Sequence, residues 1–530
     1  MLSRKGVILP IVPVFLLLAF LLACGGSPVK ATPPPTGGFS NSSLKGTYVF
    51  SVTGSDSLGN FLAIAGTFTA NGTGGSGGIT GGTLDINDSG FTAPVMNNPI
   101  TGGTYLITQD GRGQATLTTA TPFGSSLEVD FVLTSSQHGL ITEFDRNGTG
   151  SGSLDLQSPA SQPAAGTYVF GLSGVSGVNV GTGGLIPAAT AGAITLDASG
   201  GGTGSLDYNN NAAESVLTIN SGSTVMVGGT PGKATLVTSG GTFNFDIYAV
   251  DATHLKFIET DSFPILAGDL FSQTSSTLPS GQLVFTMAGF DYGAAAPLAV
   301  GGLMTSNGTS TISNGEEDFN DSGTSDTTPQ SFSGTITSSG GRYVFQLNTF
   351  ENGASGAIGT FTFAAYPSSG GIELVEVDGN GVSAGVAFVQ SSTSLASGQG
   401  YGLNLSAANI SGINGGFEED DIAEFVSNGG AFSGIVDLND QGQPSFNQRL
   451  HGNYTLDSPA TGRGVMTSNL FNGAFYVVSG SDVLFLETDS TQLGAGAFQV
   501  QNAGAKSTLT ASHLAMLRLK PGAKGASRRR

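Results

Sequence analysis

The chain has no tryptophan, one cysteine and four histidines in 530 residues, and only 11% of it is charged. Each shortage excludes something. A single cysteine forms no intramolecular disulfide. The histidines (His138, His254, His451, His513) stand near no second ligand and, with one cysteine, compose no zinc set. Without tryptophan the usual aromatic platform for sugars is missing, and the 33 phenylalanines fall at alternating strand positions that read as core. No stretch of the body keeps a 3.6-residue apolar period. The many G-x-G strings therefore lack the helix that a phosphate cradle requires. Basic residues are also few: 18 Lys and Arg against 38 Asp and Glu. Seven of them lie in Lys506 to Arg530, and Arg4 and Lys5 open the chain. The remaining nine face all 38 acids, a net of about −29. Such a body repels phosphate backbones, which excludes nucleic acid as a partner.

What the chain has in plenty is glycine, 84 residues without a G-X-Y period and with only 21 prolines, so turns rather than collagen. Thr, Val, Phe and Gly in short runs favour strands. The length suits about three to five domains of ~100–200 residues.

The first residues carry the most specific signal. Met1 to Lys5 holds two positive charges, Val7 to Leu22 is apolar, and Leu21-Leu22-Ala23-Cys24-Gly25 follows. Pro10 and Pro13 interrupt the apolar run, which spans a bilayer poorly. The pattern reads as a secretory signal over 1–23. The Cys directly after the cut resembles the lipobox of bacterial lipoproteins. That resemblance implies cleavage before Cys24, acylation of Cys24 with chains such as palmitate, and membrane anchoring through the lipid. Gly25, rather than Asp, after the Cys implies export to the outer membrane. Residues 24–43, rich in Pro and Gly, make an extended spacer.

Beyond the spacer the chain repeats itself four times, over 44–158, 164–274, 278–391 and 396–503, before a basic tail at 504–530. Each unit opens with a glycine leading into a strand (Gly46, Gly166, Gly281, Gly398). An acidic landmark follows: LDINDSG with Asp85, LDYNNN with Asp207, EDFNDSG with Asp318, VDLNDQG with Asp437. Then comes a basic turn with Arg112, Lys233, Arg342 or Arg463. Last is E-x-D-x6-G-x4-Q: Glu143, Asp145, Gly152, Gln157; Glu259, Asp261, Gly268, Gln273; Glu376, Asp378, Gly385, Gln390; Glu487, Asp489, Gly496, Gln501. Landmarks in one order at one period indicate tandem duplication. The first unit reads as eight strands punctuated by Gly, Asn and Asp with no crossover helix, hence antiparallel hairpins. The expected fold is all-β: four tandem antiparallel domains, each an eight-stranded up-and-down barrel. These are similar to lipocalin-like and streptavidin-like barrels in strand count and length only. β-Sandwiches and an eight-bladed propeller are the alternatives.

Two patterns are candidates for chemistry. The Glu and Asp of E-x-D, two residues apart on a strand, share a face and could act as acid and base on a glycoside. A catalytic pair is rarely copied into four tandem domains, whereas a folding device must be. The motif is therefore expected to close each barrel: carboxylates at the solvent rim, Ile258, Leu484 and Leu486 inward, Gly opposite Asp, and Gln three residues before Glu on the partner strand. The basic turn is a tempting partner for these carboxylates but should lie at the other end of the barrel. The second pattern is Asp85, Asn87 and Asp318, Asn320, which match the first ligands of a calcium loop. Met96 and Pro329 stand where its bidentate acid belongs, and hairpin turns explain the same residues. GGSGG at Gly74 to Gly78 lacks the strand–turn–helix setting of a nucleophile elbow.

The sequence thus leads to a cell-envelope lipoprotein without enzymatic activity, metal or cofactor, in a structural or surface-interaction role. The alternatives are a binding module holding a small apolar or glycan ligand, then a carboxylate-dependent glycan hydrolase. Its partners are the membrane, through the anchor, and an envelope or surface protein or glycan.

Overall fold

A computed structural model describes residues 38–158, 162–181, 183–293, 295–321, 324–325, 328–349, 359–410 and 417–501. The leader, Cys24 and the basic tail lie outside them.

In the first repeat the strands are Lys45–Asp56, Phe61–Asn71, Gly77–Asp88, Val95–Ile100 continued as Gly102–Ile107, Arg112–Thr121, Gly124–Leu133, His138–Glu143 and Gly148–Leu156. Each pairs antiparallel with the next, and the last returns to the first, with Val52 opposite Gly152. The result is a closed eight-stranded barrel, barrel 1. Barrels 2 (Gly166–Ser272), 3 (Ser280–Val389) and 4 (Gly400–Val500) close in the same way. Closure pairs every edge that a sandwich would leave open. The barrel expectation holds, and the sandwich and propeller alternatives fall.

Each interior is filled by its own side chains. In barrel 4, Phe425 lies 5.3 Å from Tyr401, 5.4 Å from Phe498 and 5.5 Å from Phe432, ring centre to ring centre. The outer faces are apolar as well, because they meet other barrels. Val49, Phe61, Ala63 and Ala65 of barrel 1 pack on Tyr248, Ile258, Ile265 and Ala267 of barrel 2. Val169, Ala189 and Ala191 of barrel 2 meet Tyr366, Val375 and Val382 of barrel 3. Val284, Ala299 and Leu303 of barrel 3 meet Tyr476, Leu486 and Leu493 of barrel 4. Ile422 of barrel 4 returns to Val132 and Leu140 of barrel 1. The four barrels therefore form a ring, with strands one to three of each barrel against strands six to eight of the next. Fully burying one large aliphatic or aromatic side chain contributes ~1.5–3 kcal/mol, so the apolar seams bind neighbours strongly.

Candidate functional site

The seventh strands end on Glu143, Glu259, Glu376 and Glu487. All four motifs are antiparallel hairpins in one register: Glu143 pairs with Gly150, and Glu487 with Gly494. Several details differ from the sequence reading. The glycine faces the residue two before the Glu, as Gly152 faces Ile141 and Gly268 faces Phe257. Its close approach is to the first strand, where a Cβ on Gly268 would lie 2.1 Å from the Gly171 carbonyl oxygen.

The carboxylates are not at a solvent rim. Glu143, Glu259, Glu376 and Glu487 are at most 1% exposed. The parity is reversed. The Glu shares the inward face with Ile141 or Phe257, while Ile258, Leu484 and Leu486 point out into seams. The Glu259 Oε1 accepts the Asn244 backbone N–H at 2.8 Å, and Glu376 Oε2 accepts the Ser383 hydroxyl at 2.7 Å. The Asp lies in the turn and caps strand six: Asp378 takes the Thr362 N–H at 2.7 Å and Asp489 the Asn472 N–H at 2.9 Å.

Burial, with the nearby Asp261 charge, pushes Glu259 up to about 9, and burial raises Glu143 and Glu487 well above the carboxylate range. The folded chain thus holds a proton on Glu259 that the unfolded chain releases above about pH 4.5. Its stabilising share is full below that pH and is lost as pH rises toward 9. Each such group changes stability by at most ~1.4 kcal/mol per pH unit. Denaturant midpoints should fall between pH 5 and 9. Glu259→Gln should match the parent at pH 5 and exceed it at pH 9; a variant weaker than the parent at pH 9 would contradict the assignment.

The other landmarks reach across the seams. The amide Nδ2 of Asn87 donates to the Glu259 and Asp261 carbonyls of barrel 2 at 2.7 and 2.8 Å. Asn209 donates to the Glu376 and Gly381 carbonyls of barrel 3, at 2.8 and 2.9 Å. Asn320 donates to the carbonyls of Glu487, Asp489 and Gln492 of barrel 4, and Asn439 to those of Glu143, Asp145 and Gly148 of barrel 1. The motif Gln, expected on the hairpin, lies past the eighth strand and also crosses. Gln157 reaches the Ala249 carbonyl, Gln273 that of Pro367, Gln390 that of Val477 and Gln501 that of Leu133.

Basic turns do not meet the E-x-D carboxylates. Arg342 forks onto Asp207 of barrel 2, and Arg463 onto Asp318 of barrel 3 at 2.7 and 2.6 Å. Arg112 meets Asp437 of barrel 4 at 2.9 Å. Lys233 pairs with Asp246 of its own barrel. A tyrosine hydroxyl completes three seams: Tyr248 on Asp85 at 2.8 Å, Tyr366 on Asp207, and Tyr476 on Asp318 at 2.6 Å. Val132 occupies that position in barrel 1. The calcium-loop candidates Asp85, Asn87, Asp318 and Asn320 are thus engaged with a neighbouring barrel. Among the described residues no group of three or more His, Cys, Asp or Glu is placed to hold a metal ion.

Sequence reasoning missed one cluster. Lys256 of barrel 2 is fully buried, with Nζ 2.6 Å from Ser153 Oγ, 3.2 Å from Asp269 and 3.3 Å from Asp155. His138 bonds Asp155 at 2.7 Å and His254 bonds Asp269 at 2.6 Å. Burial alone would lower the Lys256 pKa, but the two carboxylates outweigh it and hold the amine charged. This is an ion cluster across the first seam. The available signal was the matching place of His138 and His254, each five residues before its motif Glu.

No protein-family model matches the chain. No curated protein matches it either. Among solved structures, it is similar to a double mutant of the vaccine antigen transferrin binding protein B from Haemophilus parasuis Hp5, at 11% identity over 70% of this chain and 82% of that one, TM-score 0.16. A single mutant of the same antigen matches at 12% over 71% and 86%, TM-score 0.18. Intact Ap-TbpB, with its N and C lobes, matches at 12% over 69% and 83%, TM-score 0.18. Likeness this low leaves function to the chain's own residues.

Proposed function

We propose that the chain is a non-enzymatic envelope scaffold, a ring of four filled barrels carried on a lipidated Cys24 and its spacer. Its loops are presented to a surface protein or glycan. One observation carries this reading: in all four units the shared Asn and Gln go to barrel-to-barrel clasps, and the motif glycine to barrel closure. Asn87, Asn209, Asn320 and Asn439 all cap the neighbour's motif turn. Filled interiors favour a scaffold over a ligand carrier.

Cys24→Ser tests the anchor, since no other thiol exists to take a lipid. The variant should leave the detergent phase and the membrane fraction while eluting as the same folded species, because the barrel strands and the seams described above lie within residues 45–501. Equal partition of variant and parent into detergent would contradict the reading.

A further inference from the structure

The seam that closes the ring, barrel 4 onto barrel 1, is built from different chemistry. Four outward positions of the second strand set the contrast. Barrel 1 has Phe61, Ala63, Ala65 and Thr67 there. Barrel 2 has Pro187, Ala189, Ala191 and Ala193, and barrel 3 Pro297, Ala299, Gly301 and Leu303. Barrel 4, on strand Phe417–Asn428, has Glu418, Asp420, Ile422 and Glu424.

The face they meet has changed to match. Ile258, Ile265 and Ala267 of barrel 2 correspond to Val375, Val382 and Ala384 of barrel 3 and to Leu486, Leu493 and Ala495 of barrel 4. In barrel 1 the same places are Thr142, Thr149 and Ser151. Their hydroxyls are used. Thr149 donates to Asp420 Oδ2 at 2.8 Å and Ser151 to Oδ1 at 2.5 Å, while Asn404 bonds Thr142 and Ser151 at 3.2 and 3.1 Å.

We propose that this fourth seam is a latch: it closes the ring in mild acid and opens reversibly as pH rises, while the other three seams stay shut.

The charges at the seam are unbalanced. Strand six of barrel 1 brings Glu128 and Asp130, and strand seven brings His138, already bonded to Asp155 of strand eight. Glu143 lies behind them in the interior. The first-strand end brings Ser55 and Asp56, and the basic turn brings Asp110 and Arg112. The motif turn brings Arg146, exposed, with its backbone against Gly442 of barrel 4. On the barrel 4 side Asp437 stands beside them, Glu419 adds its charge to that of Asp420, and Asp421 and Asp440 lie next to Glu419. The guanidinium facing this set, Arg112, is already shared between Asp437 and Asp110. Glu424 has both carboxylate oxygens buried with no hydrogen-bond partner. Burial lifts Asp420 to about 7 and Glu424 to about 8, and burial with Asp437 lifts Asp130 to about 8. Burial, then Asp420, holds Glu418 well above the carboxylate range. Closure therefore takes up protons that the opened, hydrated face would release. Each proton taken up shifts the closing equilibrium tenfold per pH unit toward the open form as pH rises. Burial also raises Asp85 at the first seam and Glu373 at the second, but those acids lie beside large apolar clusters, whereas the apolar patch of the fourth seam is Val132, Leu140 and Ile422.

The experiment uses the full chain carrying Cys24→Ser, with donor and acceptor dyes on Ser125→Cys of barrel 1 and Gln448→Cys of barrel 4. A control pair spans the first seam, Ser125→Cys with Ala198→Cys. Energy transfer across the fourth seam should fall between pH 5 and 8.5 and recover on acidification, with the control pair constant. Adding Glu418→Gln, Asp420→Asn and Glu424→Gln should keep the seam closed throughout, and Glu424→Gln alone should move the transition to higher pH. Constant transfer in the parent, loss in both pairs together, or an unchanged profile in the Gln and Asn variants would each overturn the latch.

Discussion

Asp318→Ala should destabilise the folded chain by about 3–5 kcal/mol, the cost of removing one partner from a buried ion pair. The substitution deletes one carboxylate and strands two groups on the neighbouring barrel. Arg463 is a few per cent exposed and gives Asp318 two bonds, through Nε at 2.7 Å and Nη2 at 2.6 Å. It keeps Asp457 at 3.0 Å, but that carboxylate is 32% exposed and compensates poorly. The Tyr476 hydroxyl, 2.6 Å from Asp318, is left without its acceptor in a fully buried place. Tyr476→Phe removes only the hydroxyl and should cost ~1 kcal/mol. Denaturant titration of both variants at pH 7 checks the pair. A loss under ~1 kcal/mol for Asp318→Ala would mean that the third seam does not hold barrels 3 and 4 together.

Gly385→Ala should cost about 1–3 kcal/mol or somewhat more, by a different route. The eighth strand of barrel 3 passes the first so closely that a Cβ at Gly385 would stand 2.0 Å from the Thr286 carbonyl oxygen and 2.7 Å from the Met287 Cα. Backbone cannot rotate away as a side chain can, so the two strands must part where the barrel closes. Gly152 and Gly496 meet the same obstacle, at 1.7 Å from the Ser51 oxygen and 2.1 Å from that of Asn404. Overpacking costs ~1–3 kcal/mol, and against backbone the upper end of that range applies. Gly379, in the same hairpin, has nothing within 4 Å of an added Cβ, so Gly379→Ala should stay within ~0.5 kcal/mol of the parent. Amide exchange should speed up first at Thr286 and Val386 in Gly385→Ala. Equal stability of the two variants would refute close approach as the reason for the motif glycine.

The barrels were legible because strand count, turn residues and the absence of helices all point one way. The constant spacing of E-x-D-x6-G-x4-Q correctly announced one hairpin register. Parity was not legible. Phe257 and Ile258 are both apolar, one facing the barrel core and the other the seam. A strand covered on both sides loses the alternation that tells inside from outside. That loss was itself the missed signal. Outer faces such as Ala63 with Ala65, or Ala189 with Ala191, carry no polar residue to meet water, so something must cover them. The clasps were visible as landmarks but not as contacts, because Asn87 and Glu259 stand 172 residues apart and no local rule joins them. The acidic second strand of the fourth unit showed as charge. Its meaning needed the three apolar strands that occupy the same place.

Small-angle scattering of the Gly38 to Gln501 chain distinguishes a closed ring of barrels from an open array. A compact body of this length has a radius of gyration of about 23 Å, and one barrel alone about 13 Å. Four barrels in a ring, each about two barrel radii from the next, stay near the compact value, whereas the same barrels in a line reach ~30 Å or more. At pH 5, with every seam shut, the radius of gyration should be about 23 Å. A value near 30 Å at that pH would contradict the closed ring.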